Sequence, residues 1–329
     1  MKPLLEVDNL CISFGNQATM RHVVENVSFH VHAGESLGIV GESGCGKSIT
    51  SLAIMRLLGG NSRVSGQIRL NNKELLSLSE NQMRTIRGKD TAMIFQDPMT
   101  SLNPLLTIGK QIGEVMEQHD NLPRDEVKKC VLELLTRVGI PRADEIYHEY
   151  PHRLSGGMRQ RVMIAMAIAC QPLLLLADEP TTALDVTIQA QILDLLQKIR
   201  KENRMALIMI THDLGVVAEV CDRVMVMYAG QVMETADVRT LLRTPMHPYT
   251  KALMMSRPQS AKENRRLNTI PGSVPSPEHF PNGCRFAPRC DQVMPICYEK
   301  TPALAPAGEG SACRCWLYDE NKESKEVLV

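Results

Sequence analysis

A glycine-rich loop between a short apolar run and a helical stretch constrains the fold of this chain most. The loop follows the β-prone residues 36–40, precedes the helical pattern of residues 49–58, and reads Gly41-Glu42-Ser43-Gly44-Cys45-Gly46-Lys47-Ser48. Glycines let backbone N–H groups close around phosphate oxygens, and the following helix N-terminus adds positive potential. Lys47 is placed to reach the β and γ phosphates, and Ser48 to ligate magnesium. The loop therefore predicts a phosphate-binding α/β fold.

Apolar runs and helical patterns alternate over the first 250 or so residues, as in an α/β layer fold with a largely parallel sheet. The predicted strands are residues 36–40, 91–95, 173–177, 205–210 and 223–228. Amphipathic spacing predicts a helix over residues 125–138 and another after Asp185. Residues 104–151 show no convincing strand pattern, so they are predicted to form an all-helical insertion.

Composition and charge exclude several classes of protein. The 329 residues carry 37 Lys plus Arg against 37 Asp plus Glu, which argues against a nucleic-acid binder held by bulk charge. The uncharged stretch of residues 162–177 is too short and too interrupted to span a bilayer. The N-terminus lacks the apolar core of a secretory signal, so we expect a cytoplasmic chain.

Two acidic residues follow the predicted strand 173–177. At the carboxyl end of that strand, Asp178 is placed to hold magnesium through water and Glu179 to polarise an attacking water molecule. The alternative is a solvated acidic turn. The preceding phosphate loop favours the catalytic interpretation.

A second glycine-bearing helix start occurs in Leu154-Ser155-Gly156-Gly157-Met158-Arg159-Gln160. Its exposed backbone N–H groups are suited to another anion. Because one chain does not need two phosphate sites, the segment is best explained if it docks on the nucleotide of a second subunit.

The phosphate loop, residues 154–160 and the Asp178-Glu179 pair, in this combination, resemble the ABC-transporter ATPases. Residues 95–104, the His247-Pro248-Tyr249-Thr250 segment and the cysteine-rich C-terminus resemble the peptide and nickel importer subfamily. The resemblance implies a P-loop NTPase core over residues 1–255, with a helical subdomain inserted at about 104–160. Residues 256–329 would form a small Pro- and Cys-rich extension.

The resemblance also assigns roles to four single residues. Gln96 resembles a glutamine that contacts magnesium and water, and His212 a histidine that contacts the γ-phosphate. Phe14 resembles an aromatic residue that stacks on adenine, with plain core packing as the alternative. Asp185 resembles a residue of the loop that senses the opposite subunit, and it is equally placed to cap a helix.

The implied function is that of an ATP-hydrolysing subunit that uses Mg²⁺ and energises import of di- or oligopeptides, or of nickel or a metallophore. The implied partners are two membrane permeases, a second ATPase cassette (a paralogue or an identical chain) and an external solute-binding protein. The chain would lie peripherally on the cytoplasmic face of the inner membrane. The alternatives are a non-transport ABC ATPase of DNA repair or ribosome function, and a small-molecule kinase.

Half of the ten cysteines lie in the last part of the chain, at positions 284, 290, 297, 313 and 315. Their spacing is not that of common zinc sites. The subfamily resemblance implies a [4Fe–4S] cluster on Cys284, Cys290, Cys297 and Cys315, with Cys313 as the alternate fourth ligand. Zinc and unligated thiols remain alternatives.

Cys45 occupies a position in the phosphate loop where many such loops carry Ser or Ala. A helix N-terminus stabilises negative charge, so we expect Cys45 to be thiolate-prone. ATP would then protect this cysteine from alkylation.

Overall fold

The computed structural model describes residues 2–15, 20–120, 122–182, 184–256, 269–308 and 310–318. Its strands are β1 (Leu5–Phe14), β2 (Arg21–Val31), β3 (Ser36–Val40), β4 (Ser62–Leu70), β5 (Lys73–Glu74), β6 (Thr91–Ile94), β7 (Leu174–Asp178), β8 (Ala206–Thr211), β9 (Arg223–Tyr228), β10 (Gln231–Asp237), β11 (Ala305–Pro306) and β12 (Ala312–Cys313). Its α-helices are α1 (Lys47–Ile54), α2 (Glu80–Ile86), α3 (Pro98–Ser101), α4 (Ile108–Asp120), α5 (Arg124–Arg137), α6 (Ala143–His148), α7 (Gly156–Ile168), α8 (Val186–Asn203), α9 (Leu214–Val220), α10 (Val238–Arg243), α11 (Pro248–Met255) and α12 (Ile296–Glu299).

The main sheet has the strand order β11-β12-β10-β9-β3-β8-β7-β6, and the five strands from β9 to β6 run parallel. These five are the strands that the apolar runs predicted, within one residue at each end. β6 ends at Ile94 and β7 begins at Leu174, and the flanking residues Phe95 and Leu173 are exposed. Successive side chains of β7 and β8 enter two different cores, which explains why their sequences are apolar without alternation.

A second, four-stranded antiparallel sheet has the order β2-β1-β4-β5. This sheet was not predicted, because the alternation of buried and exposed residues in its strands is irregular and the pairing of β1 is interrupted by register shifts. This sheet packs with α1 on one face of the main sheet. The fold is therefore mixed rather than purely parallel.

The other face of the main sheet is covered by helices. Between residues 104 and 151, all of which the structure describes except Asn121, helices occur and strands do not. Helix α5 buries one apolar stripe, Val127, Val131, Leu134 and Leu135, as its spacing predicts. Among the described residues, no helix combines the length and apolar character that crossing a membrane requires.

Candidate functional site

Four loops meet at the carboxyl edge of the main sheet. Strands β3, β8, β7 and β6 are consecutive neighbours in the sheet. Their ends are in register, because Val40 pairs with Thr211 and Asp178 pairs with Ile210. The residues that follow these strands are therefore brought together, which is the usual position of a ligand site in an open α/β sheet.

The phosphate loop runs from the end of β3 to the start of α1. Gly41 and Gly46 have φ angles of 156° and 100°, and Gly46 occupies the N-cap position of α1. A Cβ atom on Gly41 would lie 2.1 Å from the carbonyl oxygen of Met227, so a side chain cannot be accommodated there. The glycines are thus required by close backbone approach and by left-handed geometry.

Lys47 closes over the loop. Its Nζ donates to the carbonyl oxygens of Gly41 at 2.7 Å and Glu42 at 3.0 Å, and the residue is only 5% exposed. A buried ammonium needs such partners, and phosphate oxygens satisfy the same donors. The arrangement can bind a triphosphate.

Ser48 and Asp178 are in direct contact at the carboxyl edge of the sheet. The Ser48 hydroxyl donates to Oδ1 of Asp178 at 3.0 Å. Burial raises the pKa of Asp178, although the Ser48 hydrogen bond opposes this shift. A hydroxyl and a carboxylate are hard oxygen ligands, so the pair fits Mg²⁺ in kind.

Glu179 is the centre of a hydrogen-bonded group. Its Oε2 accepts from Gln96 Nε2 at 3.1 Å and from the Thr182 hydroxyl at 2.9 Å, and its Oε1 lies 3.2 Å from Nδ1 of His212. Burial alone would raise the pKa of Glu179, but the hydrogen bonds with Thr182 and His212 outweigh it and hold this pKa below its ordinary value. An ionised Glu179 beside the phosphate loop can orient a water molecule.

The three sequence-predicted catalytic residues, Glu179, His212 and Gln96, therefore form one group. Thr182 was not identified from the sequence, although it lies in the same loop as Glu179. A hydroxyl three residues after a carboxylate is too common a pattern to identify it from sequence.

The second glycine-bearing segment is exposed at Ser155 and Gly156. Ser155 caps helix α7 by accepting from the Met158 N–H at 3.3 Å, and Ser155 and Gly156 are both open to solvent. A Cβ on Gly157 would lie 2.9 Å from Ile188 of α8, so Gly157 permits close packing of the two helices. Asp185 caps α8 through the Ile188 N–H at 2.9 Å. The capped starts of α7 and α8 are therefore neighbours.

Phe14 ends β1 and is half-buried. It packs against the core cluster that also contains Cys45. The packing alternative for Phe14 is therefore observed, and the adenine contact stays a prediction.

The expectation of a thiolate at Cys45 is wrong. Its side chain is fully buried, and burial raises the pKa of the Cys45 thiol in spite of the nearby Lys47. Desolvation of the charged form outweighs the helix N-terminus here. Cys45 is a packing residue in this conformation.

The four cysteines chosen from the sequence, Cys284, Cys290, Cys297 and Cys315, line one cavity together with His247. Cys313 is buried in β12 and is not among the lining residues, so the cavity favours Cys315 as the fourth member. No group of three or more His, Cys, Asp or Glu side chains in the described part of the chain is arranged to hold a metal ion. The geometry therefore does not support zinc, and it gives no support to an iron–sulfur cluster.

His247 is unusual within this cavity. Burial lowers its pKa to about 3, and its Nδ1 accepts from the Tyr249 N–H at 3.0 Å. Its Nε2 atom is buried and has no hydrogen-bond partner among the described residues. The cavity thus presents a buried polar atom as well as four sulfur atoms.

Comparison with known proteins agrees with this geometry. Residues 24–182 match the family described as ABC transporter, and residues 233–297 match the oligopeptide/dipeptide transporter C-terminal region. The oligopeptide transport ATP-binding protein AppD of Bacillus subtilis (strain 168) is 52% identical over 97% of this chain and 98% of its own. A protein of Brucella abortus (strain 2308), named for peptide import and ATP binding, is 50% identical over 95% of this chain and 94% of its own.

Solved structures show the same fold. The ATP-binding cassette MJ0796, in a dimeric post-hydrolysis state with ADP and Pi, has a TM-score of 0.64 and 27% identity, covering 71% of this chain and 99% of that one. The cbiO1 protein of Clostridium perfringens, part of the ABC transporter complex cbiONQ, has a TM-score of 0.63 and 28% identity over 74% of this chain and 92% of its own. With its phosphate loop, acidic pair and C-terminal region, this chain belongs to the ABC-transporter ATPases.

Proposed function

We propose that this chain is the ATP-hydrolysing subunit that energises import of di- or oligopeptides through separate membrane permeases. The observation that carries the proposal is the convergence of Lys47, the Ser48–Asp178 pair and the Glu179 group at one sheet edge. The peptide cargo is supported by the names of relatives that match nearly the whole chain. Nickel or a metallophore is the alternative cargo.

The loop residues Gly41, Glu42, Ser43, Gly44, Cys45, Gly46, Lys47 and Ser48 bind the triphosphate. Their backbone N–H groups and the α1 N-terminus neutralise phosphate charge, and Lys47 exchanges carbonyl partners for phosphate oxygens. Phe14, which packs against the core and is only half-buried, retains the adenine contact implied by the resemblance as part of this proposal. Ser48, Asp178 and Gln96 would hold magnesium, which would supply positive charge to the transferred phosphoryl group.

Hydrolysis then depends on the group around Glu179. The carboxylate accepts a hydrogen bond from water and aligns it for in-line attack on the γ-phosphorus, while the bond to the β–γ bridging oxygen breaks and leaves ADP and phosphate. Thr182 and Gln96 hold the Glu179 carboxylate, and His212, which lies beside it, contacts the γ-phosphate in the proposed complex. Catalysis is therefore positioning plus electrostatic stabilisation.

A second cassette completes each site. Ser155 and Gly156 are exposed at the start of α7, Gly157 follows them beside Ile188, and Asp185 lies at the start of the adjoining helix α8. These residues dock on the triphosphate of the opposite cassette, which is a paralogue or an identical chain. ATP closes the pair and hydrolysis reopens it, which supplies the mechanical stroke for transport.

The proposed assembly contains two permease subunits, two cassettes and an external solute-binding protein, with this chain bound peripherally at the cytoplasmic face of the inner membrane. A non-transport role in DNA repair or ribosome function is not favoured, because the C-terminal region matches that of peptide transporters.

Uptake by the reconstituted complex tests this function. In vesicles that enclose ATP, a labelled tripeptide should accumulate only when permeases, both cassettes and solute-binding protein are present, and Lys47→Ala should abolish accumulation. ATP-dependent uptake of Ni²⁺ without peptide uptake would contradict the cargo. ATP hydrolysis with no uptake of any of these solutes would contradict the transport role.

We propose a [4Fe–4S] cluster only on the subfamily resemblance and on the four cysteines that line one cavity, because no group of side chains in the described part of the chain is already arranged around a metal ion. Anaerobic purification should give a brown protein with about four iron atoms and four acid-labile sulfides per chain. Cys297→Ser should lose both, whereas Cys313→Ser should keep them. A colourless anaerobic protein without iron and sulfide would contradict the cluster.

A further inference from the structure

The C-terminal segment, residues 269–308 and 310–318, places one arginine directly on the phosphate loop. The Arg289 guanidinium donates two parallel hydrogen bonds to the Glu42 carboxylate, Nη1 to Oε2 at 2.7 Å and Nη2 to Oε1 at 3.0 Å. The Arg289 side chain is 5% exposed and that of Glu42 is 29% exposed. A forked, shielded ion pair is stronger and more directional than a surface pair.

The Arg289 guanidinium is itself held by its surroundings. Nε donates to the carbonyl oxygen of Pro271 at 2.7 Å, and Nη2 to those of Ile270 and Gly272 at 3.3 Å. Nη1 also donates to the Tyr228 hydroxyl at 3.3 Å. These hydrogen bonds hold the Arg289 side chain in one position, so it is not a mobile surface group.

Glu42 is held at its side chain, its backbone N–H and its carbonyl oxygen, and Arg289 holds the side chain. Its backbone N–H donates to the Tyr249 hydroxyl at 2.9 Å, and its carbonyl oxygen accepts from Lys47 Nζ at 3.0 Å. Glu42 directly follows Gly41, where the chain enters the loop. Its position therefore determines where the following loop N–H groups point.

The contact extends into an aromatic cluster of Tyr228, Tyr249 and Phe286. Their ring centroids are 4.8 to 5.2 Å apart, and all three side chains are fully buried. Phe286 belongs to the C-terminal segment, and Tyr249 is the residue that binds the Glu42 N–H. The segment is thus packed against the back of the phosphate loop and does not merely touch it.

A second arginine of the segment reaches the loop indirectly. Arg285 hydrogen-bonds the Ala229 carbonyl oxygen, and the N–H of the next residue, Gly230, donates to the Cys45 carbonyl oxygen at 2.9 Å. Arg285 follows Cys284, and Arg289 precedes Cys290, so both arginines adjoin cysteines of the cavity. Arg285 and Arg289 therefore connect the cysteine-lined cavity with the phosphate loop.

We propose that Arg289 is a positioning residue for ATP, through which the C-terminal segment sets the affinity of the phosphate loop. The inference rests on the proposed ATP site. Arg289 offsets the negative charge that Glu42 would otherwise present near the triphosphate, and it holds the loop in its binding conformation. Preorganisation of this kind lowers the cost of binding.

Because Arg289 acts on ATP binding, its substitution should change the KM for ATP but not kcat. Arg289 lies behind the loop and contacts no group of the Glu179 cluster, so its removal weakens ATP binding without altering the reaction of bound ATP. In the assembled complex, Arg289→Gln should raise the KM for ATP at least about tenfold, with kcat changed less than about twofold. Arg289→Lys keeps the positive charge but cannot make the two parallel hydrogen bonds to Glu42, and it should raise the KM for ATP about threefold.

A double-mutant cycle isolates the contact. In a Glu42→Gln background the negative charge is absent, so adding Arg289→Gln should change KM less than about threefold. Arg314→Gln is the matched control, because Arg314 also adjoins a cysteine but donates to the carbonyl oxygens of Val232 and Pro302. It should leave the KM for ATP within about twofold of the unmodified complex.

Three results would overturn the inference: an unchanged KM in Arg289→Gln and Arg289→Lys, an equal rise in KM with and without Glu42→Gln, or an equal rise in Arg314→Gln. If Arg289→Gln does not assemble, Arg289→Lys decides by its own KM. Failure of the proposed peptide import appears separately, as ATP hydrolysis without peptide uptake, and leaves these KM comparisons intact.

Discussion

Glu179→Gln is expected to lower ATP turnover by the assembled complex at least about 100-fold while ATP affinity changes little. The amide keeps the size of the side chain but loses the negative charge that aligns the water molecule. It also disturbs the hydrogen bonds that Glu179 accepts from Gln96 and Thr182. Phosphate release under saturating ATP measures turnover, and equilibrium binding of a fluorescent ATP analogue measures affinity.

The control for this variant is Glu219→Gln. Glu219 is an exposed carboxylate on α9, outside the Glu179 group, so its amide should leave turnover unchanged. Retention of near-normal hydrolysis in Glu179→Gln would refute the role given to Glu179. Loss of ATP binding in the same variant would place Glu179 in the binding site instead.

Ser155→Asp is expected to abolish turnover although it preserves the fold of its own chain. Asp caps a helix as well as Ser does, and a negative charge at the start of α7 suits the helix dipole. Facing a triphosphate on the opposite cassette, the same charge is strongly repelled, by about 4 kcal/mol at about 4 Å. We expect turnover to fall at least about 100-fold.

Ser155→Asn is the matched comparison, because Asn has the size and capping ability of Asp without its charge. Its turnover should exceed that of Ser155→Asp at least about tenfold, with equal thermal stability of the two variants. Equal turnover in the Asn and Asp variants would mean that no phosphate approaches Ser155.

The local parts of the site could be predicted because their chemistry lies in contiguous residues. The loop around Lys47, the Asp178-Glu179 pair and the five parallel strands are continuous segments with strong patterns. The structure shows in addition how these strands are aligned in the sheet. This alignment brings Gln96 and His212 to the Glu179 carboxylate. A pairing between residues 83 apart cannot be derived from spacing alone.

The parts that sequence reasoning missed depend on contacts distant in the chain or on burial. The antiparallel sheet of β1, β2 and β4 has a weaker, interrupted alternation. At Cys45, desolvation exceeds the effect of the helix terminus, and burial is not visible in a motif. The Arg289–Glu42 pair joins residues 247 apart, and the local sequence of neither residue indicates the other as its partner.

The specific ATPase activity of a verified monomer of this chain, compared with that of the full complex at the same ATP concentration, tests the shared-site account most directly. Because each triphosphate would need Ser155 of an opposing cassette, the monomer should turn over ATP at least about 100-fold more slowly. Adding the cognate cassette should restore the rate. Full-speed hydrolysis by a chain shown by sedimentation to remain monomeric with ATP bound would contradict the account.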